Sequence, residues 1–330
     1  MKTGAKPPLL AAKDSGAGGP PFFAARSIAR VIENLTDDGS ENHEPQKHFQ
    51  RKHLFHFSNE LHLTCPLRVS HAPPIIFQSI FYSMNPAVII TGALGGIGHS
   101  LCEEFNSYGF HVFAMDQREG TVPAQTFINV DIRDAVSDPA KRAALIDPIR
   151  TELRAKNLEL RGIVNNAATQ ILGGVDSLDY AAWHETLCVN LLAPFFLVQA
   201  FLPELEKARG AVVNITSIHE KLTKSGFVAY ATSKSALSGL TRAMAVDLGG
   251  RVRVNAICPA AIHTPMLSAG FAGRPDAFAA LRDAHPGGRI GLPEEVAHLA
   301  RYLIAEAPDF LNGSCLGLDG GIAGRLHDPV

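Results

Sequence analysis

The stretch AVIITGALGGIG, residues 87 to 98, combines an apolar run with a glycine-rich segment. Its apolar start, Ala87 to Ile90, is typical of a buried strand, and the glycines at 92, 96 and 98 predict a tight turn that opens a helix. The free N–H groups and the dipole of a helix N-terminus favour an anion, and glycine lets the backbone approach that anion closely. We therefore expect this turn to bind the pyrophosphate of a dinucleotide.

The composition of the 330-residue chain is that of a soluble globular protein, with 46% hydrophobic and 19% charged residues. The formal net charge is −2 and no long basic block occurs, so we expect no nucleic-acid partner and no anionic membrane partner. No apolar run approaches the roughly 18 residues that span a bilayer. The five cysteines are scattered without a CxxC pair, which indicates reduced thiols and a cytoplasmic setting.

Residues 1–83 differ in texture from the rest of the chain. They contain three Pro-Pro pairs and six of the fourteen histidines, with little hydrophobic periodicity. We expect a low-complexity, mostly disordered N-terminal extension, and the basic character of its first residues leaves a transit peptide as an alternative. His48, His53 and His56 have no cysteine or carboxylate at ligand spacing, so we expect no metal site.

Strands and helices alternate regularly from residue 84 to residue 330. The predicted strands cover residues 87–91, 111–115, 126–130, 161–165, 211–216, 251–257 and 314–318, and the predicted helices cover 97–108, 139–156, 180–207, 229–248 and 293–305. Such alternation predicts an α/β protein with a doubly wound parallel sheet, the Rossmann fold, in three α/β/α layers. No repeat or second linker interrupts the pattern, so we expect residues 84–330 to form a single NAD-binding domain.

The second predicted strand ends in Asp116, 18 residues after the last glycine of the turn. A carboxylate there can accept hydrogen bonds from both ribose hydroxyls of NAD and would repel the 2′-phosphate of NADP. Arg118 is the one cation nearby in sequence, so NAD is favoured over NADP. Asp131 and Ile132 end the third strand, where a side chain could bond the adenine amine. Asn166 belongs to the segment that ends the fourth strand, beside small residues that would admit the cofactor.

Tyr230 and Lys234 begin an apolar-periodic helix, where their spacing places phenol and ammonium on one face. A nearby cation favours the phenolate, which makes a group able to pass a proton to or from an alcohol oxygen. Ser217 follows the preceding strand, where its hydroxyl could hydrogen-bond a substrate carbonyl. Asn190 lies inside an apolar helix, either as a structural residue that kinks the helix or as part of a proton relay through water.

Taken in order, these motifs resemble the short-chain dehydrogenase/reductase family over residues 87–321. The matching motifs are Thr91-Gly92, Gly96-Ile97-Gly98, Asn165-Asn166-Ala167, Asn190, Ser217, Tyr230 with Lys234, Pro259 to Thr264, and Asp319-Gly320-Gly321. The resemblance implies that Tyr230 is the acid/base and that Lys234 lowers its pKa and holds the nicotinamide ribose. It also implies that Ser217 orients the substrate oxygen and that Asn190 anchors the relay water.

The resemblance further implies a set of contacts to NAD. Those residues are Gly92, Gly96, Ile97, Gly98, Asp116, Asp131, Ile132, Asn166, Tyr230, Lys234, Ile262 and Thr264, the last two at the nicotinamide carboxamide. Hydride transfer would need no metal, and the chain would form a homotetramer or homodimer. Ala168 and Ala260 depart from the family's usual glycines, and each adds a methyl group beside the expected cofactor path, which points to a shifted nicotinamide or weaker binding.

The substrate is less clearly indicated. Residues 266–290 fall where the family has a mobile lid, and their glycine and alanine content suits a flexible segment. The stretch after Ser217 resembles that of bacterial glucose dehydrogenases, which favours a polyol or sugar-like substrate. The candidate pocket residues are Gln170, His219, Glu220 and His263, each of which could equally have an ordinary loop role.

The sequence therefore favours an NAD-dependent oxidoreductase that moves a hydride between nicotinamide and a secondary alcohol or ketone. Two alternatives stay open. One is an NADPH-dependent 3-oxoacyl reductase, against which Asp116 argues. The other is an NAD-binding sensor or scaffold without turnover, against which the complete set of chemical groups argues.

A chain begun at Met84 should retain full folding and turnover, because the first predicted strand of the domain follows directly after that residue. Gel filtration, thermal unfolding and turnover of the two chain lengths, compared side by side, test this expectation. Aggregation or lost turnover in the shorter chain would show that residues 1–83 belong to the working enzyme.

Overall fold

The structure, a computed structural model, describes residues 85–326, so the predictions made for residues 1–83 lie outside the described residues. The strands are β1 (Asn85–Thr91), β2 (His111–Asp116), β3 (Thr126–Asn129), β4 (Leu158–Asn165), β5 (Ala211–Ile215), β6 (Arg253–Pro259) and β7 (Cys315–Leu318). All pair in parallel, in the order β3-β2-β1-β4-β5-β6-β7. This confirms the doubly wound parallel sheet.

Helices fill the connections between the strands. They are α1 (Gly96–Ser107), α2 (Ile132–Ser137), α3 (Pro139–Ala155), α4 (Tyr180–Leu187), α5 (Ala193–Ala200), α6 (Leu202–Ala208), α7 (Val228–Leu248), α8 (Pro265–Gly270), α9 (Pro275–Ala284) and α10 (Pro293–Ala305). A π-helical turn, Cys188–Leu192, joins α4 to α5, and 3-10 turns cover Ile218–Glu220 and Ile322–Gly324. Several helices begin with a proline in the first turn, where its missing N–H costs no hydrogen bond.

The sheet is buried on both faces, which explains the continuous apolar runs of its strands. Side chains of a strand alternate between faces, so neighbours in β1 enter different cores. Ile89 packs with residues of α3, α6 and α7, whereas Ile90 packs with residues of α1 and α10. Complete burial of one such side chain stabilises the fold by about 1.5–3 kcal/mol. The three α/β/α layers follow from these two cores.

The structure corrects several element boundaries. The predicted helix at 180–207 is three helices and a π turn. One continuous helix would need backbone N–H donors at positions 194 and 203, which are prolines, and each proline instead lies in the first turn of a new helix. The strand predicted at 251–257 is shifted to Arg253–Pro259. Asp131 does not end a strand but caps α2, accepting a hydrogen bond from the Arg133 N–H at 3.0 Å.

One stretch of the described residues, Tyr180–Ala200, is long and apolar enough to cross a bilayer by length and composition, with a mean hydropathy of 1.3. Polar residues such as His184, Glu185 and Asn190 interrupt this stretch, so it is not an uninterrupted apolar run of the kind that the sequence lacks. In the fold, Leu197 and Val198 of this stretch are buried in the core shared by α3, α6 and α7. A core helix of a globular domain passes the same test of length and composition.

Candidate functional site

The site lies where β1 and β4 run side by side, the point at which the strand order reverses and loops leave in opposite directions. The Thr91 hydroxyl accepts hydrogen bonds from the backbone N–H groups of Asn166 and Ala167, both at 3.0 Å. The Asn166 side chain donates to the carbonyls of Thr91 and Gly92, also at 3.0 Å. The amide predicted to contact the cofactor therefore ties the two loops together, and its cofactor contact stays a prediction.

The turn after β1 is too crowded to accept side chains at its glycine positions. Gly92 has a φ of 66°, in the left-handed region. A methyl group on Gly98 would overlap the carbonyl oxygen of Gly92 and lie 2.8 Å from the Cα of Ala93. The cap residue of α1, Gly95, has no side chain to bond the first N–H groups of the helix. These groups form a cradle that fits an anion such as a pyrophosphate.

Asp116 ends β2 beside this turn, and only 5% of its side chain is exposed. One carboxylate oxygen accepts from the Leu94 N–H at 2.9 Å, and the other accepts from the N–H and Nε of Arg118, each at 3.0 Å. Burial alone would raise the pKa of Asp116, but the hydrogen bonds from Arg118 and Leu94 hold that pKa below its usual value. An ionised carboxylate thus faces the turn, with the Arg118 guanidinium against it.

Asp131 and Ile132 lie at the start of α2. Both carboxylate oxygens of Asp131 accept from Arg133 Nε, at 3.0 and 2.9 Å, and Arg133 also pairs with Glu185 at 3.2 Å. The hydrogen bonds from Arg133 lower the pKa of Asp131. The structure therefore gives Asp131 a capping role, and its contact to adenine stays a prediction.

The structure brings Ser217, Tyr230 and Lys234 together. Lys234 is 2% exposed, its Nζ donates to the carbonyl of Ile215 in β5 at 2.8 Å, and it lies 5.7 Å from the centroid of the Tyr230 ring. Burial lowers the pKa of Lys234 to about 8. Burial also raises the pKa of Tyr230, and the hydrogen bond between its phenol and Ser217 opposes that rise. Phenol, hydroxyl and ammonium form one cluster.

Asn190 lies in the π turn and is fully buried. Its Oδ1 accepts from the Thr169 N–H at 2.8 Å, and its Nδ2 donates to the Thr169 carbonyl at 3.0 Å and to the Ser233 hydroxyl at 2.9 Å. Ser233 in turn donates to the backbone carbonyl of Tyr230 at 2.7 Å. Asn190 therefore positions the first turn of α7, while its part in a water relay stays a prediction.

Ile262 and Thr264 follow β6, and Thr264 lies beside Gly96 in the glycine-rich turn after β1. Ile262 is buried and pairs with Gly291, and the backbone bond from His263 N–H to the Gly291 carbonyl is 2.8 Å. Thr264 caps α8, and its methyl group would lie 2.9 Å from a Cβ on Gly96. The predicted carboxamide-binding residues are thus beside the predicted pyrophosphate turn.

The four candidate pocket residues are placed differently. The His219 ring stacks on Phe227 at 4.6 Å and lies edge-on to Tyr230 at 5.7 Å, and burial together with Lys224 lowers its pKa. The Glu220 side chain is only 5% exposed and accepts from the Ser238 hydroxyl, so it turns toward the sheet. Gln170 and His263 are exposed loop residues. Only His219 has an observed contact with Tyr230.

The predicted lid at 266–290 contains two short helices, α8 and α9, and borders an open cavity of about 340 Å³. The residues lining that cavity are His263, Ser268, Phe271, Gly273, Arg274, Pro275 and Phe278. His263 therefore faces a lid cavity, where a pocket role stays a prediction.

Sequence reasoning assigned no role to Thr91, Phe227 or Ser233. The spacing of Ser233 from Tyr230 on one helix, and the polar Thr91 at the end of an apolar strand, were signals available in the sequence. The stacking of Phe227 on His219 depends on how the loop between them folds back, which no spacing indicates.

Comparisons with known proteins give a consistent result. Residues 92–323 match the family model described as enoyl-(acyl carrier protein) reductase. The D-threitol dehydrogenase of Mycolicibacterium smegmatis is 32% identical over 71% of this chain and 91% of its own length. The NAD-dependent glycerol dehydrogenase of Listeria innocua is 28% identical over 74% of this chain and 96% of its own. The aldohexose dehydrogenase structure from Thermoplasma acidophilum has a TM-score of 0.69 at 29% identity, covering 75% of this chain and 97% of that one.

Replacing Gly98 with alanine should destabilise the chain by about 1–3 kcal/mol, because the added methyl group overlaps the Gly92 carbonyl oxygen. The matched control is Gly239→Ala in α7, where no atom lies within 4 Å of the added carbon. The control should gain about 0.5–1 kcal/mol from its better helix propensity. Chemical denaturation of both variants measures the difference, and equal free energies of unfolding would contradict the crowded turn.

Proposed function

The chain belongs to the short-chain dehydrogenase/reductase family and is an alcohol dehydrogenase or ketone reductase, and we propose that it uses NAD with Tyr230 as the acid/base. The observation that carries this proposal is the cluster of Tyr230, Ser217 and the buried Lys234 at the carboxyl edge of the sheet. An acid/base, an oxygen-orienting hydroxyl and a cation are the groups that proton transfer to an alcohol oxygen requires.

The residues around the β1 turn fit a dinucleotide. Backbone N–H groups at Gly96 to Gly98 would hold the pyrophosphate, because no side chain caps them and the glycines leave room beside them. Asp116 would hold the adenosine ribose, Lys234 the nicotinamide ribose, and Thr264 with Ile262 the carboxamide. When bound, the nicotinamide takes a hydride from a carbinol carbon or returns one to a carbonyl carbon.

The side chains of this protein handle the proton. In alcohol oxidation the Tyr230 phenolate accepts the hydroxyl proton, and in ketone reduction the phenol returns it. The Lys234 ammonium, 5.7 Å from the ring centroid, favours the phenolate. The Ser217 hydroxyl accepts from the His219 N–H at 3.2 Å, which leaves its own proton for the substrate oxygen. Asn190 and Ser233 fix the backbone of Tyr230.

We favour a polyol or sugar-like substrate. His219, stacked flat on Phe227 and in edge contact with Tyr230, forms an aromatic wall beside the acid/base. Such a wall fits the C–H face of a carbohydrate chain, and the imidazole can bond a hydroxyl. The names of the compared relatives, a threitol and a glycerol dehydrogenase, support the same substrate class.

We also propose a cytoplasmic homotetramer or homodimer. Four cysteines among residues 85–326 are free thiols, as expected in a reducing compartment. Apolar side chains on α5 and α7 face outward, with Phe195 37% and Val246 85% exposed. Burial of these side chains against a second copy would remove them from water.

An NADPH-dependent 3-oxoacyl reductase is the second candidate, and one observation favours it. Arg118 Nε lies 3.0 Å from Asp116 Oδ1. If the guanidinium turned away from this carboxylate, it could bind a 2′-phosphate at the same place. The buried carboxylate itself favours NAD, because a phosphate beside it would meet a like charge. A sensor without turnover is disfavoured because every proton-handling group is in place.

The variant Tyr230→Phe should lose turnover by about 10²–10⁴-fold, because it removes the group that exchanges the proton. NAD affinity, measured by calorimetry, should change little, since the ring is retained. The exposed Tyr180, changed to phenylalanine, is the matched control and should keep full activity. Undiminished turnover in Tyr230→Phe would refute the mechanism.

In the wild type, the rate of alcohol oxidation should rise with pH as the phenol ionises, and the rate of ketone reduction should fall.

The variant Asp116→Asn should shift the cofactor preference from NAD toward NADP. The change removes the negative charge that repels a 2′-phosphate and frees Arg118 to meet that phosphate. We expect the ratio of kcat/KM for the two cofactors to move by about tenfold or more, equivalent to about 1.4 kcal/mol. Asp309→Asn, at an exposed surface position, is the control. A ratio that does not move, or a wild type that prefers NADP, would favour the second candidate.

A further inference from the structure

We propose that Glu220, Cys258 and Cys315 form a binding site for one zinc ion. Their ligand atoms, one carboxylate oxygen and two sulfurs, all lie within 4.8 Å of one another. Among residues 85–326 no other three such side chains converge in this way. The three come from the 3-10 turn after Ser217, from β6 and from β7, so the fold assembles a donor set that no sequence motif shows.

The geometry suits a tetrahedral ion. Zinc takes sulfur at about 2.3 Å and carboxylate oxygen at about 2.0–2.2 Å, which sets neighbouring ligands about 3.5–3.8 Å apart. The three donors would need to close by only about 1 Å from their present separation. Three protein ligands leave the fourth position for water. Two thiolates and a carboxylate are also the donor types that zinc prefers over calcium or magnesium.

Strand register places both sulfurs on one face of the sheet. Cys315 pairs with Ala256, and Cys258 is two residues further along β6, so the two cysteines are diagonal neighbours. Both are free thiols, and their sulfur atoms lie within 4.8 Å of each other. A single ion that binds both sulfurs fits this register.

The surrounding donors suit metal-bound thiolates. The Thr216 hydroxyl donates to Cys258 Sγ at 2.9 Å, and Arg242 Nη1 donates to Cys315 Sγ at 3.6 Å. The Ser238 hydroxyl donates to the Glu220 carboxylate and fixes its orientation. Hydrogen bonds of this kind orient metal ligands and are part of a metal site.

The charges also balance. Two thiolates and one carboxylate carry three negative charges, which a divalent ion and the Arg242 guanidinium neutralise. Lys221 Nζ lies 3.3 Å from Glu220 Oε1, the carboxylate oxygen that does not accept from Ser238. The Lys221 side chain is 74% exposed, so this surface ion pair contributes little to stability. The ammonium can therefore leave without much cost when an ion binds.

An ion here would clamp the 3-10 turn to the last two strands. That turn begins directly after Ser217, so the ion would hold the edge of the sheet from which the hydroxyl projects. The role is structural and is independent of the proposed hydride transfer.

The test uses the full chain, stripped with chelator, reloaded with zinc chloride and desalted. We expect elemental analysis to find about one zinc per chain, and cobalt loading to give thiolate-to-cobalt charge-transfer absorption. Cys258→Ala and Cys315→Ala should each lose both signals. Cys102→Ala, which removes a buried cysteine of α1 outside the cluster, is the matched control and should keep them. Zinc missing from the wild type, or bound equally by all variants, would overturn the proposal.

A second measurement on the wild type removes any dependence on how the variants fold. Iodoacetamide labelling followed by mass spectrometry should show that zinc protects Cys315, which is partly exposed, while labelling of Cys188 stays unchanged. Cys315 labelled at the same rate with and without zinc would also overturn the site.

Discussion

The hydrogen bond from the buried ammonium of Lys234 to the backbone of β5 holds the groups of the site together. A charge taken out of water costs several kcal/mol unless it is satisfied, and here the carbonyl of Ile215 in β5 satisfies it at 2.8 Å. The bond fixes α7 against the carboxyl end of β5, and the same end carries Ser217. Burial lowers the pKa of Lys234 to about 8, and the same burial means that the ammonium form acts on the nearby phenol in a medium that screens its charge weakly.

A second set of interactions also positions the site. Hydrogen bonds from buried and half-buried polar side chains hold the loops at the ends of the parallel strands. Asn166 and Thr91 join the loops after β4 and β1, and Asn190 joins the π turn to the loop at Thr169 and, through Ser233, to α7. Loss of one partner from such a buried pair leaves the other unsatisfied at a cost of about 1–3 kcal/mol. The family resemblance assigns Asn166 a cofactor role and Asn190 a catalytic role, and these hydrogen bonds show that both side chains also hold the backbone in place.

Much of the fold could be predicted from the sequence, because strands buried on both faces show as apolar runs separated by helix-length segments. The helix at 180–207 could not be predicted as three, since its breaks depend on the π turn at Cys188–Leu192 as well as on Pro194 and Pro203. Tyr230, Lys234 and Ser217 could be placed together because helix spacing and the strand edge determine their positions. The pairing of Arg118 with Asp116, two residues apart, required the loop conformation. Cys258 and Cys315 are 57 residues apart in sequence, and only strand register brings them together.

Transfer of a deuterium label from the alcohol to the cofactor would reveal the hydride step itself. The full chain is incubated with NAD and a panel of polyols deuterated at their secondary carbinol carbons, and the reduced cofactor is analysed by mass spectrometry. We expect deuterium at C4 of the reduced nicotinamide with at least one polyol, and labelling that is about 10²–10⁴-fold slower with the Tyr230→Phe variant. NAD that binds but is never reduced by any labelled alcohol, or reduced cofactor without the label, would contradict it.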